Sequence, residues 1–223
     1  MAGTRTAPWF QGVLLGGFCL VASVTLALGY RLSAPAIEAR QKEDMAASLE
    51  QVIPASYRSN DMVADAVVLD GPSGKTTTVY RARKGGTVTA VAYRVVGQGY
   101  GGEVVIVMGV DRNGEILGVR VVQHSETPGL GDKVDVRKTR WVDAFAGKSL
   151  ANTPDAKWAV KKDGGQFDQF SGATITPRGV VKAVKEGLAF FAAHRTRMLD
   201  EAAGAAEPQR EAPGRTPTPR SVS

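Results

Sequence analysis

The chain has 223 residues, with 28 lysine and arginine residues against 22 aspartate and glutamate residues, and thus a formal net charge of +6. That length is enough for one domain with appendages. This net charge is smaller than is typical of a nucleic-acid-binding protein, so no nucleic-acid partner is expected. One cysteine and two histidines exclude a disulfide framework, and they exclude zinc-ribbon or iron–sulfur ligation by this chain alone. Demanding chemistry therefore requires an organic cofactor or a partner.

The first element is an uncharged run over residues 9–30, preceded by a short tail over residues 1–8. As an α-helix the run is about 33 Å long, which matches the hydrocarbon thickness of a bilayer. A cleaved signal peptide is the alternative, but its apolar stretch is usually only about 7–15 residues long. The run therefore predicts an uncleaved transmembrane helix in contact with membrane lipid. The flanking charges leave open which side of the membrane the rest of the chain occupies.

The next segment, residues 31–66, is predicted to hold a membrane-proximal helix and a linker. Beyond it, β-branched runs separated by turn residues predict strands over residues 76–81, 87–96, 103–110 and 115–123. The last two are predicted to form a hairpin through Asn113 and Gly114, because this pair favours the positive φ angles of a tight turn. A short helix is predicted around Trp141.

The last long helix has two predicted start signals, Thr176 as N-cap and Pro177 at the first helical position. Its predicted apolar face consists of five residues, namely Val180, Val181, Val184, Leu188 and Phe191. The tail over residues 201–223 is proline-rich without large apolar runs, so it is predicted to be disordered. The fold class is therefore α+β: a single N-terminal transmembrane helix, then a mostly antiparallel sheet domain over residues 67–200 with flanking helices.

Two glycine-rich stretches resemble nucleotide-binding loops. Gly97, Gly99 and Gly102 match the dinucleotide fingerprint in spacing, but a predicted strand follows where the fingerprint requires a helix. The stretch over residues 71–76 lacks the first glycine of a phosphate loop and also leads into a strand. Both are therefore interpreted as turns. His124 and His194 form no recognisable catalytic arrangement.

One segment points to a cofactor. Residues 168–177 have the sequence DQFSGATITP, which places the Thr174 hydroxyl just before the predicted helix. A phosphate on that oxygen would lie beside the unpaired N–H groups and the positive end of the helix. From the residues alone, a turn in which Ser171, Thr174 and Thr176 cap the helix is the favoured interpretation.

The same segment resembles the D-x-x-[ST]-G-A-T acceptor sequence of the FMN-binding domain family. The resemblance implies that a dedicated flavin transferase attaches FMN to Thr174 through a phosphoester. It also implies that Ser171, Gly172 and Ala173 form the small spacer and that Asp168 is part of what the transferase recognises. A second stretch, HSETPGLG over residues 124–131, resembles the E-T-P-G-L-G loop of the same family. A third, KKDGGQFDQF over residues 161–170, resembles the approach to the acceptor in the G subunit of the Rnf ion-translocating electron transport complex, which has this domain.

This resemblance implies a flavoprotein subunit in a bacterial inner membrane, with its domain on the periplasmic side and other subunits of the complex as partners. Its implied role is to relay electrons while the complex couples ferredoxin and NAD oxidoreduction to ion translocation, with no complete active site of its own. The C subunit of the sodium-pumping NADH:quinone oxidoreductase shares the domain and stays an alternative. A non-redox anchored assembly module and a stand-alone flavin reductase are the others; the lack of a dinucleotide site argues against the reductase.

A wall of the cofactor site is expected over residues 126–131, because glycine and proline there let backbone N–H groups approach a ligand. The expected contacts are five residues, Glu126, Thr127, Gly129, Leu130 and Gly131. Leu130 would cover an apolar ring face. Arg178 and Lys182, in the first turns of the last helix, are candidates to neutralise the phosphodiester; ordinary solvated helix charges are the alternative.

Overall fold

The structure is a computed structural model that describes residues 8–71 and 76–200. Helix α1 (Pro8–Val52) is followed by one antiparallel sheet whose strand order is the chain order, and helix α2 (Ile175–Leu199) comes last. The strands are β1 Ala66–Asp70, β2 Thr76–Lys84, β3 Thr87–Gln98, β4 Glu103–Asp111 and β5 Ile116–Gln123. The predicted α+β class is confirmed. Three predicted segments lie wholly or mostly outside the described residues. They are the N-terminal tail over residues 1–7, the turn over residues 72–75 and the C-terminal tail over residues 201–223.

Helix α1 is a single helix of 45 residues, whereas the sequence predicted two. The prediction divided it where an uncharged composition gives way to a charged one, but such a change does not by itself interrupt the i to i−4 hydrogen bonds of a helix. Its segment Trp9–Ala34 has a mean hydropathy of 2.1 and is long and apolar enough to cross a membrane. The predicted apolar N-terminal helix is therefore present, within a longer one.

The sheet packs against a different helix on each face, because successive residues of a strand point to opposite sides. Val91 and Tyr93 of β3 belong to the core that also contains the buried side of α2. Ala90 and Ala92 of the same strand belong to a second core with Leu49, Val52 and Ile53. The close approach of α1 requires glycine in the sheet, since a Cβ on Gly109 would overlap the main-chain oxygen of Val52.

The hairpin between β4 and β5 forms as predicted. The Asp111 carboxylate accepts hydrogen bonds from the backbone N–H groups of Asn113 and Glu115, each at 2.8 Å. Gly114 has a φ of +87°, whereas Asn113 has a negative φ, so only the glycine takes the left-handed conformation. The Asp111 side chain thus does part of what the prediction assigned to Asn113.

The glycine-rich stretch between β3 and β4 is a turn, as predicted. The Gly99 N–H donates a hydrogen bond to the Gly102 oxygen at 2.8 Å, and β4 follows directly. A Cβ on Gly179 of α2 would overlap the main-chain oxygen of Gln98. Helix α2 therefore lies in backbone contact with the start of this turn.

Helix α2 begins one residue before the predicted N-cap. Its first residue is Ile175, and Thr174, which precedes it, makes no side-chain cap hydrogen bond. Thr176 lies inside the first turn and is completely buried, so its predicted role as N-cap is wrong: its hydroxyl donates to a buried carboxylate, that of Glu126, at 2.5 Å. Pro177 is the third residue of the helix and not, as predicted, the first; it is tolerated there because the N–H groups of the first turn have no partner within the helix. All five predicted apolar-face residues are buried.

Candidate cofactor site

A cleft of about 300 Å³ opens where three segments meet: the β3–β4 turn, the loop after β5 and the N-terminus of α2. This volume is at the lower end of small-molecule sites. Nine residues line the cleft, namely Tyr100, Glu126, Thr127, Leu130, Gly131, Gly172, Ala173, Thr174 and Ile175. The two motifs that were singled out in the sequence, 44 residues apart from Leu130 to Thr174, therefore face one another.

The segment before α2 turns tightly, so that Thr174 lies at the helix start. Gly172 has a φ of +81°, and the Ala173 N–H donates a hydrogen bond to the Phe170 oxygen at 3.1 Å. The main-chain oxygen of Thr174 accepts a hydrogen bond from the Arg178 backbone N–H at 3.3 Å, which is the first hydrogen bond of the helix. Thr174 thus lies beside the N–H groups of the first turn, where the helix dipole favours an anion.

Aromatic rings hold the approach to this turn. Phe167 and Phe170 are buried, and the Phe145 and Phe167 rings stack with their centroids 4.5 Å apart. The Trp141 ring lies edge-on to Phe170, with centroids 5.4 Å apart. The acceptor segment is therefore anchored on its inner side.

The Glu126 carboxylate joins the three walls of the cleft. Its Oε1 accepts a hydrogen bond from the Gly101 N–H at 2.9 Å, and its Oε2 accepts from the Thr176 hydroxyl at 2.5 Å. A Cβ on Gly99 or Gly131 would overlap one of these oxygens. The residue is 7% exposed, so the carboxylate is packed between glycines with little contact with solvent.

Most of the predicted cofactor contacts lie together in the cleft, but three lie outside its lining. Ser171 is exposed, and Gly129 takes a φ of +81° in the loop after β5. Arg178 donates two hydrogen bonds to the Asp163 carboxylate, at 2.6 and 2.5 Å. That pairing lowers the pKa of Asp163 and raises the pKa of Arg178.

The other two predicted charges also have partners away from the cleft. Lys182 lies 3.8 Å from the Glu186 carboxylate on the same helix. Asp168, the predicted recognition residue, pairs with Lys161 at 2.6 Å on the surface. Its side chain is 68% exposed and thus accessible from solvent.

Sequence reasoning missed Tyr100 and Ile175. Tyr100 is 75% exposed and Ile175 is 49% exposed. A tyrosine between glycines was a usable signal, because glycine turns often carry residues that contact a ligand. Nothing in the sequence indicated that Tyr100 would lie in the same cleft as Thr174.

Comparisons with known proteins agree with this geometry. The FMN-binding domain family matches residues 99–189, which include the whole lining of the cleft. The G subunit of the ion-translocating oxidoreductase complex of Cereibacter sphaeroides is 47% identical over 195 residues, which cover 87% of this chain and 89% of the relative. The corresponding G subunit of Stutzerimonas stutzeri is 46% identical over 86% of this chain and 84% of the relative. The chain belongs to this G subunit family.

Membership of the G subunit family confirms the resemblance that the sequence motifs indicated. A crystal structure of the C subunit of the Na⁺-translocating NADH-quinone reductase from Parabacteroides distasonis is also similar, with a TM-score of 0.50 and 21% identity, over 72% of this chain and 97% of that one. That likeness concerns the fold alone. The chain is thus a relative of these G subunits and has an FMN-binding domain.

The residues at the cleft fit FMN. Tyr100, Leu130 and Ile175 are large apolar side chains that stay at least 42% exposed at its rim. A group of exposed apolar side chains around a concave surface is typical of a ligand site. Beside them lies a hydroxyl at a helix N-terminus, which suits a phosphate. The apolar wall is thus suited to the flat ring of FMN, and the wall at the N-terminus of α2 is suited to its phosphate.

Proposed function

We propose that this chain is a membrane-anchored flavoprotein subunit that carries FMN as a phosphoester on Thr174. It relays electrons within a complex that couples ferredoxin and NAD oxidoreduction to ion translocation. The observation that carries the proposal is the position of Thr174, which lines the cleft directly before α2 within the acceptor sequence. Membership of the G subunit family and the FMN-binding domain match support it.

Each wall of the cleft has a distinct role in this proposal. FMN, when bound, supplies the electron-transfer chemistry that no side chain of this chain provides. The N–H groups of the first turn of α2 stabilise the phosphate next to Thr174. Tyr100, Leu130 and Ile175 pack against the ring and exclude water from it. The chain itself has no complete active site.

The proposal also places the chain in the cell. The segment Trp9–Ala34 spans a bacterial inner membrane as an uncleaved anchor, with the domain on the periplasmic side. A flavin transferase recognises the exposed Asp168 and modifies Thr174. The other subunits of the complex are the electron donors and acceptors.

Intact mass spectrometry tests this proposal on full-length chain isolated from its native membrane, in cells with a working flavin transferase. The wild-type chain should be heavier by one FMN less one water, and its denatured gel band should fluoresce. Thr174→Ala should lose both signals. Ser171→Thr and Ser56→Ala are matched controls that should keep the modification. The first keeps a hydroxyl at the [ST] position of the acceptor sequence, and the second removes an exposed hydroxyl outside the cleft.

Two outcomes would overturn the proposal. One is a wild-type chain whose Thr174 is unmodified; this would leave only an anchored module in which residues 171–176 form a turn. The other is a Thr174→Ala chain that still carries covalent flavin, which would place the attachment elsewhere.

A further inference from the structure

We propose that Glu126 holds a negative charge at the edge of the cleft and thereby lowers the reduction potential of the bound FMN. Glu126 is a tuning residue in this proposal and takes no part in electron or proton transfer. The inference rests on the proposed function, because it concerns the cofactor of the same cleft. It assigns a role to a buried carboxylate that the phosphoester attachment does not use.

The hydrogen bonds around Glu126 suit an ionised carboxylate. Both of its oxygens accept bonds, one from the Gly101 N–H and the other from the Thr176 hydroxyl. An ionised carboxylate only accepts hydrogen bonds, whereas a protonated one must also donate. The Thr176 oxygen is in turn approached by the Tyr100 N–H, at 3.5 Å. Every group in this chain of bonds can thus act in the direction that a charged Glu126 requires.

No cation among the described residues forms an ion pair with this carboxylate. The nearest titratable ring along the chain, that of His124, uses its Nδ1 to accept a hydrogen bond from the Glu126 N–H at 3.2 Å. Its other nitrogen lies 3.9 Å from the Asp135 carboxylate, on the far side of the ring. The charge on Glu126 is therefore stabilised by neutral donors and not by an ion pair with a described side chain.

The position of the carboxylate is fixed by packing. Gly99 and Gly131 contact its two oxygens so closely that neither site has room for a Cβ. Glu126 is 7% exposed but borders the cleft. A charge in such a site is screened less by water than one on the surface. An electron added to a cofactor in the cleft meets this charge, so reduction is less favourable.

The charge is tested by Glu126→Gln in the full-length, FMN-loaded chain, with the reduction potential measured by spectroscopic titration at one pH. Glutamine keeps the shape: its oxygen can accept from the Gly101 N–H while its amide donates to the Thr176 oxygen. The potential should become more positive. At the wild-type midpoint, the ratio of reduced to oxidised FMN should rise by about threefold or more for loss of one nearby charge.

The variant Thr176→Val provides a matched test of opposite sign. Valine has the shape of threonine but removes the hydroxyl whose positive end faces Oε2 and offsets part of the charge, so more of the field of the carboxylate reaches the cleft. The potential should therefore become more negative. A purely structural role of Glu126 would loosen the cleft in both variants and shift both potentials in the same direction.

The outcomes separate the two proposals. A loaded Glu126→Gln chain with an unchanged potential, or shifts of the same sign in both variants, would overturn the inference and leave the proposed function intact. If Glu126→Gln fails to load, Thr176→Val decides: a more negative potential supports the inference, and any other result overturns it. Failure of both variants to load also counts against it, because Glu126 would then serve the fold. A wild-type chain without FMN removes the proposed function first.

Discussion

The indole nitrogen of Trp141 donates a hydrogen bond to the main-chain oxygen of Asp168 at 2.8 Å. This bond ties the start of the acceptor segment to the aromatic cluster beneath it. Trp158 belongs to the same cluster, with its ring 5.7 Å from that of Phe167. Its indole nitrogen, in contrast, is buried without a hydrogen-bond partner among the described residues. The two tryptophans therefore form a natural matched pair.

Trp141→Phe should reduce both stability and FMN loading. Phenylalanine keeps an aromatic ring but loses the bond to Asp168, which is expected to cost about 1 kcal/mol of unfolding free energy. Denaturant unfolding and the amount of FMN per chain measure the two effects. Trp158→Phe loses no hydrogen bond and should retain loading. Equal loading in both variants would show that the bond does not position the acceptor segment.

Gly179→Ala should destabilise the domain by about 1–3 kcal/mol, the usual cost of forcing extra volume into a packed site. The new Cβ would overlap the main-chain oxygen of Gln98, so α2 must move away from β3. Glu186→Ala, an exposed change on the same helix, should stay within about 0.5 kcal/mol. An unfolding free energy of Gly179→Ala equal to that of the wild type would mean that the helix and strand are less tightly packed than described.

Strands β2 to β5 and the apolar face of α2 were predictable because their patterns are local in the sequence. Strand β1, Ala66–Asp70, was not predicted. Two of the three segments that line the cleft were predictable, because the loop after β5 and the acceptor segment each carry a recognisable motif. The hydrogen bond between Thr176 and Glu126 was not, because it joins residues 50 positions apart. The local sequence predicted that the Thr176 hydroxyl caps the helix. In the structure the hydroxyl instead donates to the buried Glu126 carboxylate, which the tertiary fold places beside it. Tyr100 was missed for the same reason.

Arg178→Ala should raise the pKa of Asp163 towards its ordinary value, because the Arg178 hydrogen bonds are the main cause of its lowered pKa. A carboxyl with a lowered pKa stabilises the fold above its unfolded pKa, and that stabilisation is lost as pH falls through the folded value. Arg178→Ala should therefore remove most of this acid-dependent contribution and leave the smaller part that Lys162 supplies. Carboxyl NMR titration measures it, with Lys182→Ala as the control.

The same titration tests Arg178 as a phosphate ligand. If Arg178 turns to the phosphodiester, FMN loading of the wild-type chain should raise the pKa of Asp163 as Arg178→Ala does. An Asp163 pKa that is the same in loaded chain and in Thr174→Ala would remove Arg178 from the site.

Gly131→Ala and Gly129→Ala should differ, although the residues are two positions apart. A Cβ on Gly131 would overlap the Glu126 carboxylate, so this variant should lose FMN loading. A Cβ on Gly129 meets no atom within 4 Å, but its φ of +81° strains any other residue. Gly129→Ala should therefore cost roughly 1 kcal/mol of stability and keep its FMN. Intact mass and thermal unfolding distinguish the two, and equal loading would show that the carboxylate tolerates displacement.

The uninterrupted course of α1 sets the height of the domain over the proposed bilayer. From Ala34, where the apolar segment ends, to Leu49, which is buried against the sheet, the helix rises about 22 Å at 1.5 Å per residue. Under the proposed function, this rigid helix would hold FMN at one height and in one orientation, which a flexible linker would not. Redox partners would then have to approach at that height, and each residue inserted into the helix would turn the cleft by about 100° around the helix axis.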